Sequence, residues 1–327
     1  MNGALETARS AMSNLPDELG RIAILIPCYN EEVAVGHVIA AFRKALPQAA
    51  IYVFDNNSKD RTIAVALDSG ANIRHVTTQG KGNVVRRMFA DIDADIYLLV
   101  DGDDTYDAAS APAMVEALVK DHLDMVVGCR ISHEQAAYRP GHRFGNTLLT
   151  NMVALIFGRT FTDILSGYRV FSRRFVKSFP AISGGFEIET ELTVHALQLV
   201  MPCGEMSTPY SSRREGSSSK LNTYRDGWRI MLTILQLLRL EMPLRFFSSI
   251  ASALALIAIL IAMPLAITYI ETGLVPRLPT AILATGLMIL AALNLTSGFI
   301  LDNVTRGRRE MRHLFYLNQR GPGEQGQ

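Results

Sequence analysis

The sequence predicts a layered α/β domain followed by two membrane-spanning helices. Two observations carry this prediction. Short, uninterrupted apolar runs alternate with helical patterns from residue 21 to about residue 130, which is typical of parallel strands covered on both faces. Farther along, residues 246–270 and 278–301 contain no charged residue. Each of these runs is long enough for a helix to cross a hydrocarbon core, which takes roughly 20 residues.

Five short runs define the strands of the predicted sheet. They are "IAILIP" (22–27), "AIYVFD" (50–55), "IYLLVD" (96–101), "DMVVGCR" (124–130) and the weaker "NIRHVTT" (72–78). The helical patterns between them cover residues 31–46, 61–69, 82–92 and 110–122. Such alternation predicts right-handed crossovers and parallel strands. The carboxyl ends of these strands therefore share one edge, where α/β proteins bind ligands.

The composition argues against several classes of function. Lys and Arg total 32 against 31 Asp and Glu, for a net charge of +1, so no global positive field points to nucleic acid. Cys28, Cys129 and Cys203 match no disulfide framework or zinc spacing, which fits a reducing compartment. Residues 1–20 contain no apolar core of signal-peptide length. We therefore expect a polar leader and a cytoplasmic α/β domain.

The short segment between the two apolar runs predicts a helical hairpin with both ends on one side of the membrane. Arginines flank both ends of this hairpin: Arg239, Arg245, Arg306, Arg308, Arg309 and Arg312. The positive-inside rule places these flanks in the cytoplasm. Residues 225–245 show apolar residues at helical spacing with arginines among them. This pattern predicts a helix that lies either in the membrane interface or against the α/β domain.

A group of carboxylates follows the strand at residues 96–101. Asp101 and Asp103 flank Gly102, which permits a tight turn. Because like charges repel, a positive partner is expected there. Mg²⁺ or Mn²⁺ is typically held by one or two carboxylates, with water and substrate phosphates completing the shell. The pattern thus predicts a metal that carries a diphosphate. For the Asp-Gly-Asp motif taken alone, the alternative is an acidic turn that is merely solvated.

The other strands also end in polar or glycine-rich turns. "PCYNEE" (27–32), "FDNNSKDRT" (54–62) and "TQGKGN" (78–83) each follow a predicted strand. The last of these places Lys81 between glycines at the start of a helix. Backbone N–H groups and a cation at such a position suit an anion.

Together, "IPCYNEE", "VFDNNSKDRT", "GKGN" and "VDGDD" resemble the nucleotide-sugar-binding half of family 2 glycosyltransferases. The resemblance covers residues 21–130 in order and spacing, and it implies the GT-A fold, a Rossmann-like, mostly parallel sheet with helices on both faces. The residues it assigns to the donor are Pro27, Tyr29, Glu31, Asp55, Asn57, Lys81, Asp101, Gly102 and Asp103.

The resemblance also implies a role for each of these positions. The "PCYNEE" residues would line the nucleoside site and Asp55 would hold the base. Lys81 would lie near the diphosphate, and Asp101 and Asp103 would carry the metal. Many relatives have "DDGS" where this chain has "DNNS", which leaves the role of Asn57 open.

The second half of the domain resembles the polyisoprenyl-phosphate branch of the family. The matching segments are residues 128–146, 161–174, 184–192 and 212–227. Dolichol-phosphate mannosyltransferases and bacterial undecaprenyl-phosphate glycosyltransferases belong to this branch, and a C-terminal membrane hairpin is common among its bacterial members. The residues assigned to the acceptor phosphate are Arg130, Arg143, Arg169, Arg213 and Lys220, and those assigned to catalysis are Asp163, Arg130 and Arg143.

The chemistry of a phosphate acceptor decides what these residues need to do. A phosphate monoester is already charged at neutral pH, so we expect catalysis by positioning and charge neutralisation rather than by a strong base. Asp163 is then either a base or a group that orients Arg169 or Arg143. Alternatively, one of the two clamping arginines, Arg130 or Arg143, simply pairs with Asp163 or with a glutamate. Glu187 and Glu191 lie four apart, on one face of a helix, and either could reach the metal or the sugar.

The predicted organisation has five parts: a leader (1–20), a cytoplasmic GT-A domain (21–224, with donor and acceptor halves 21–130 and 131–224), an interfacial helix (225–245), a transmembrane hairpin (246–301) and a basic cytoplasmic tail (302–327). Small residues such as Gly286 and Gly298 suit self-association of the hairpin.

The leading functional prediction is an inverting glycosyltransferase in the inner membrane. It would move one sugar from a nucleotide sugar, with UDP favoured over GDP, to an undecaprenyl- or dolichyl-type phosphate on the cytoplasmic face. The product would supply envelope glycans such as lipopolysaccharide. The alternatives are a glycosyltransferase acting on a hydroxyl-bearing membrane lipid and a non-catalytic carrier-lipid-binding protein. Motifs do not encode which sugar is transferred.

Overall fold

The computed structural model describes residues 20–131, 153–154, 161–182, 184–185, 187–212, 232, 236 and 238–322. The chain divides into two compact units. The first comprises residues 1–227 and 312–327, and the second comprises residues 228–311.

The first unit contains a mixed sheet whose described strands are β1 (Ile22–Cys28), β2 (Ala50–Asp55), β3 (Asn72–His75), β4 (Ile96–Leu99), β5 (Met125–Ile131), β6 (Arg169–Ser172) and β7 (Cys203–Pro209). Their order is β3-β2-β1-β4-β6-β5-β7. The strands from β3 to β4 are parallel, whereas β6 runs antiparallel to both of its neighbours. β7 is parallel to β5. The five predicted strands are confirmed, and β6 and β7 were not predicted.

The described helices of this unit are α1 (Val35–Ala45), α2 (Thr62–Asp68), α3 (Lys81–Asp91), α4 (Ala111–Lys120), α5 (Arg173–Ser178) and α6 (Ile188–Gln198). The first four match the predicted helical patterns. A short 3₁₀ turn, Ala108–Ser110, precedes α4. The mostly parallel sheet with its helices confirms the predicted GT-A class.

The central strands are covered on both faces. Ile24, Leu25 and Ile26 are consecutive in β1, so their side chains point to alternate faces, and all three are fully buried. Burial of a side chain of this size stabilises the fold by about 1.5–3 kcal/mol. Two buried faces explain why the strand sequences are uninterrupted apolar runs.

The strand register brings the first three strands to an end at the same level. Cys28 at the end of β1 pairs with Asp55 at the end of β2, and Asp55 pairs with His75 at the end of β3. The polar turns that follow these strands therefore begin side by side.

The second unit contains the long apolar helix α7 (Pro243–Thr272) and most of a second one, α8 (Leu278–Leu317). Both are long and apolar enough to cross a membrane. In the most apolar 18-residue stretch of each helix, only 11% is buried within the protein. Gly273, with φ of 68°, ends α7 in the left-handed conformation. α8 extends to Leu317, well beyond the predicted end of the hairpin at residue 301. Most of the predicted interfacial helix at 225–245 lies outside the described residues.

The two helices pack side by side at Gly298. A Cβ atom at Gly298 would lie 3.1 Å from Cβ of Phe247 and 3.5 Å from Cα of Leu244, so this glycine permits a close approach within the hairpin. Arg309 Nη2 donates to the carbonyl oxygen of Glu241 at 2.6 Å. Gly298 thus packs against α7, and its role in contacts between copies stays a prediction.

Candidate active site

The turns after β2 and β3 are tied together at the carboxyl edge of the sheet. Asn56 follows β2 and is buried. Its Nδ2 donates to the carbonyl oxygens of Val76 and Thr78 at 2.8 and 2.9 Å. Its Oδ1 accepts from the backbone N–H of Gly80 at 2.7 Å. These bonds fix the turn that leads into Lys81, the first residue of α3.

Asn57 holds the same turn from the outside. Its φ of 65° lies in the left-handed region, which asparagine tolerates better than most residues. Its Nδ2 donates to the carbonyl oxygen of Thr77 at 2.8 Å and to Oε1 of Gln79 at 3.1 Å. The residue whose role was open therefore organises the turn between β3 and α3.

The "PCYNEE" segment joins this edge through Glu31. The backbone N–H of Glu31 donates to Oγ1 of Thr62 at 2.8 Å, and Glu31 itself is buried. Pro27 and Tyr29 are half-buried on the same turn. All three therefore remain candidates for lining a nucleoside pocket.

Asp55, whose contact with the base stays a prediction, is buried at the end of β2. Its side chain has no exposed surface, and its carboxylate lies 3.1 Å from Nδ1 of His75. The His75 side chain is 50% exposed. A direct contact between Asp55 and a nucleobase would need a rearrangement, because β2 buries the carboxylate behind His75. The register places His75 beside Asp55 at the sheet edge, a relation that sequence reasoning missed.

Asp101 and Asp103 flank a tightly packed turn after β4. A Cβ atom at Gly102 would lie 2.6 Å from Sγ of Cys28, so only glycine fits over the end of β1. Asp103 is buried, and its Oδ1 accepts from Oγ1 of Thr105 at 2.6 Å. Gly102 thus shapes the turn by close packing against the end of β1.

Lys81 forms a cluster with Asp101 and Glu189. Its Nζ lies 2.5 Å from Oδ1 of Asp101 and 2.6 Å from Oε1 of Glu189. The side chains of Lys81 and Glu189 are 9% and 6% exposed. The other oxygen of Glu189, Oε2, is buried and has no hydrogen-bond partner among the described residues. A buried acceptor of this kind costs about 1–3 kcal/mol until a donor reaches it.

Charge and burial act against each other in this cluster. Burial alone would lower the pKa of Lys81, but the charges of Asp101 and Glu189 outweigh it and raise that pKa. Burial raises the pKa of Glu189, and Lys81 opposes that shift only in part. Lys81 is therefore a permanent cation between two carboxylates.

The structure brings a third glutamate of "FEIETEL", Glu189, to Lys81, and the roles predicted for Glu187 and Glu191 stay predictions. Glu187 and Glu191 were the predicted candidates because they share a helical face. Glu191 Oε1 accepts from the backbone N–H of Ile182 at 2.8 Å. Glu189 lies on a different face of α6, and that face meets Lys81. Nearly the whole circumference of α6 is buried, so helical spacing alone did not identify the face that meets the site.

The carboxylate oxygens at this edge fit a divalent cation whose coordination shell is completed by substrate. No group of three or more His, Cys, Asp or Glu side chains with metal-binding geometry occurs in the described part of the chain. Asp101 and Asp103 do supply hard oxygen ligands on one turn. Mg²⁺ and Mn²⁺ commonly take one or two protein carboxylates together with phosphate oxygens.

Arg130 and Asp163 form a second, separate pair. Nε and Nη2 of Arg130 each lie 2.7 Å from a different carboxylate oxygen of Asp163. The guanidinium also lies over the ring of Tyr210, 5.6 Å from its centroid. Burial acts to raise the pKa of Asp163, but the hydrogen bonds and charge of Arg130 outweigh it and hold that pKa below its usual value. Asp163 is thus an ionised partner of Arg130. This arrangement matches the alternative in which one of the two arginines predicted to clamp the phosphate pairs with Asp163.

Arg169 was predicted to contact the acceptor phosphate, but it is fully buried. Its Nη2 donates to the carbonyl oxygen of Ile164 at 2.5 Å, and its Nε donates to that of Ser166 at 2.9 Å. A third bond runs from Nη1 to Oγ1 of Thr193 at 2.9 Å. Arg169 therefore secures the loop after Asp163 from inside the fold. Arg143, Arg213 and Lys220 lie outside the described residues.

Comparison with known proteins identifies the family of this chain. The sequence model of glycosyl transferase family 2 matches residues 23–179. The glycosyltransferase AglJ of Haloferax volcanii is 36% identical over 238 residues, which are 71% of this chain and 77% of AglJ. A dolichyl-phosphate hexose transferase of the same organism is 27% identical over 66% of this chain and 92% of its own length.

A solved structure shares the fold. Glucosyl-3-phosphoglycerate synthase of Mycobacterium tuberculosis, crystallised with Mn²⁺, UDP and glucosyl-3-phosphoglycerate, superimposes with a TM-score of 0.56 at 20% identity. The match covers 71% of this chain and 81% of that structure. The family model matches residues 23–179, and AglJ is 36% identical over 71% of this chain. The chain therefore belongs to glycosyl transferase family 2 and is a glycosyltransferase.

Proposed function

We propose that this glycosyltransferase moves one sugar from a nucleoside-diphosphate sugar to a polyprenyl phosphate at the cytoplasmic face of the inner membrane. UDP is the favoured carrier, and the product is a lipid-linked sugar for envelope glycans. The observation that carries the proposal is the presence of two distinct charged sites in the α/β unit. One comprises Lys81, Asp101 and Glu189, and the other comprises Arg130 and Asp163.

The first site suits the donor. Lys81 supplies a permanent cation for a diphosphate, and Asp101 and Asp103 would hold Mg²⁺ or Mn²⁺. The ion would neutralise charge on the departing diphosphate. The buried Oε2 of Glu189 is an acceptor suited to a sugar hydroxyl. The fold is shared with an enzyme crystallised with Mn²⁺ and UDP, which supports the same class of donor.

The second site suits an acceptor that is itself a phosphate. Arginine forks match phosphate geometry, and Arg130 is fixed by Asp163 and Tyr210. Asp163, held ionised by Arg130, is a poor candidate for a base. A phosphate needs none, whereas a hydroxyl acceptor does. Attack of the phosphate oxygen on the anomeric carbon in one step would invert its configuration.

The membrane assignment rests on the apolar helices α7 and α8 and on the arginines at their ends. A polyprenyl phosphate is itself a membrane lipid. The similarity to a dolichyl-phosphate hexose transferase supports this class of acceptor.

The test is turnover by the purified full-length protein in detergent. Nucleoside diphosphate release would be measured with a panel of nucleotide sugars, with and without undecaprenyl phosphate and with Mg²⁺ or Mn²⁺. We expect release that requires both one donor and the lipid phosphate and that, in Asp103→Asn, requires a higher Mg²⁺ concentration. If nucleoside diphosphate release does not depend on the lipid phosphate with any nucleotide sugar of the panel, the acceptor assignment is refuted.

A further inference from the structure

The geometry points to Glu205 as a positioning residue that sets the Arg130–Asp163 pair for the acceptor phosphate. Glu205 lies on β7 and contacts the segment that carries Asp163. The functional part of this inference rests on the proposed function, because the pair matters to turnover only if it meets the acceptor.

The carboxylate of Glu205 accepts three hydrogen bonds from two consecutive residues. Its Oε1 accepts from the backbone N–H of Thr162 at 2.7 Å and from that of Asp163 at 3.4 Å. Its Oε2 accepts from Oγ1 of Thr162 at 3.0 Å. Hydrogen bonds to an ionised acceptor are stronger than bonds between neutral groups. The backbone at Thr162 and Asp163 is thereby held on the edge of β7.

Fixing this backbone fixes the direction of the Asp163 side chain. Both oxygens of Asp163 are used by Arg130, and its Oδ2 also accepts from the backbone N–H of Arg130 at 3.3 Å. A two-point contact tolerates little rotation of either partner. A shift of the Asp163 backbone would therefore move the guanidinium of Arg130.

Two residues hold this loop from opposite sides. Arg169 binds the carbonyl oxygens of Ile164 and Ser166 from the buried side. Glu205 is exposed and binds the N–H groups of Thr162 and Asp163 from outside. Because the buried anchor stays in place, removal of the Glu205 carboxylate should loosen the segment without unfolding the domain.

The conservative variant separates geometry from charge. In Glu205→Gln, the amide oxygen can still accept from both N–H groups. The amide nitrogen can donate to Oγ1 of Thr162, whose hydroxyl can then turn to Sγ of Cys129, 3.4 Å away. A positioning role therefore predicts that glutamine rescues what alanine loses.

The experiment measures the kinetics of full-length Glu205→Ala, Glu205→Gln and Ser207→Ala in detergent. Ser207 is the matched control because it is exposed on the same face of β7, two residues farther on. For Glu205→Ala we expect a rise of about tenfold in KM for undecaprenyl phosphate, with KM for the nucleotide sugar changed by less than about twofold. Glu205→Gln and Ser207→Ala should both stay close to the wild type.

Three outcomes overturn the inference. Two are kinetic: a rise in KM that is equal for both substrates, and a loss of activity in Glu205→Ala that Glu205→Gln does not rescue. The third comes from backbone amide exchange in the resting protein, where Thr162 and Asp163 should exchange faster in Glu205→Ala but not in Glu205→Gln. Unchanged exchange in the alanine variant refutes the positioning role even if turnover changes. Failure of the proposed function would instead appear as a wild type that does not need lipid phosphate, with the exchange result unaffected.

Discussion

The ammonium group of Lys81 and the carboxylate of Glu189 form an ion pair of 2.6 Å that is almost wholly buried. The same ammonium group contacts Asp101. A buried pair gains little over an apolar substitute, but the loss of one partner leaves an uncompensated charge. Lys81 and Glu189 should therefore be coupled energetically.

We expect Lys81→Met to lower the free energy of unfolding by about 3–5 kcal/mol, because it strands Glu189 in the core. The double variant Lys81→Met/Glu189→Gln should lose clearly less than the sum of the two single losses. Chemical denaturation of all four proteins in detergent measures this coupling. Additive losses would show that the pair does not act as a unit.

Asp103 should control the metal requirement. In Asp103→Asn we expect the Mg²⁺ concentration for half-maximal activity to rise by about tenfold or more, because one of two hard anionic ligands is lost. Asp104→Asn is the matched control, since asparagine tolerates the left-handed φ of 60° at that position. An unchanged metal titration in Asp103→Asn would argue against the assignment of this turn to a metal.

Asp163 should contribute no ionisation to the pH–rate profile near neutrality. Arg130 holds its pKa below the usual carboxylate range, so it stays ionised throughout the neutral range. Its contribution to stability is present above the unfolded pKa and is lost only as pH falls through the lower folded value. Profiles of kcat from pH 6 to 9 should have the same shape in the wild type and in Asp163→Asn. A limb that disappears in the variant would identify Asp163 as a base.

His195 should make the protein less stable in acid. Burial, with a smaller effect of Arg312, lowers its pKa to about 3. The unfolded state takes up a proton near pH 6.5 and the folded state does not. Stability is therefore fully present above pH 6.5 and falls as pH drops toward 3. Between pH 7 and pH 5 this single group should cost about 2 kcal/mol.

The matched variants for this effect are His195→Phe and His37→Gln. Phenylalanine suits the site because Phe175 and Phe179 pack against the imidazole. It should flatten the stability difference between pH 7 and pH 5, measured by denaturant unfolding. His37 is exposed, and its replacement should leave the slope unchanged. An unaltered slope in His195→Phe would assign the acid sensitivity to other groups.

Gly102 should be intolerant of even one methyl group. A Cβ atom there meets Sγ of Cys28 at 2.6 Å, so we expect Gly102→Ala to lower both activity and stability, by about 1–3 kcal/mol for the overpacking. The double variant Cys28→Ala/Gly102→Ala removes the clashing sulfur and should recover most of the loss. Thermal unfolding and turnover measure both effects, and a double variant no better than Gly102→Ala would rule out this clash as the cause.

The sequence predicted four strands that are apolar runs, and it also predicted β3, which is mostly exposed. β1, β2, β4 and β5 are apolar runs because both of their faces are covered. β7, "CGEMSTP", was missed because most of its residues are only partly buried or exposed, which leaves no apolar run. β6 is fully buried but only four residues long, and it begins with Arg169.

The site was predictable where chain direction alone brings residues together. Parallel strands place the turns that carry Asn57, Lys81 and Asp101 on one edge. The contact between Lys81 and Glu189 depends on the rotation of α6, and the burial of Asp55 depends on its pairing with β3. Neither follows from a motif, because each is set by packing between segments that are distant in sequence.

The reversed direction of β6 determines at which edge of the sheet this strand begins. β6 starts at the edge where its neighbours β4 and β5 finish. β5 therefore ends, and β6 begins, at the edge of the sheet where β1 to β4 also end. Changes in the segment that joins these two strands can therefore leave the pairing of β1 to β4 in register. One sheet can in this way accommodate different segments between β5 and β6 without a new core.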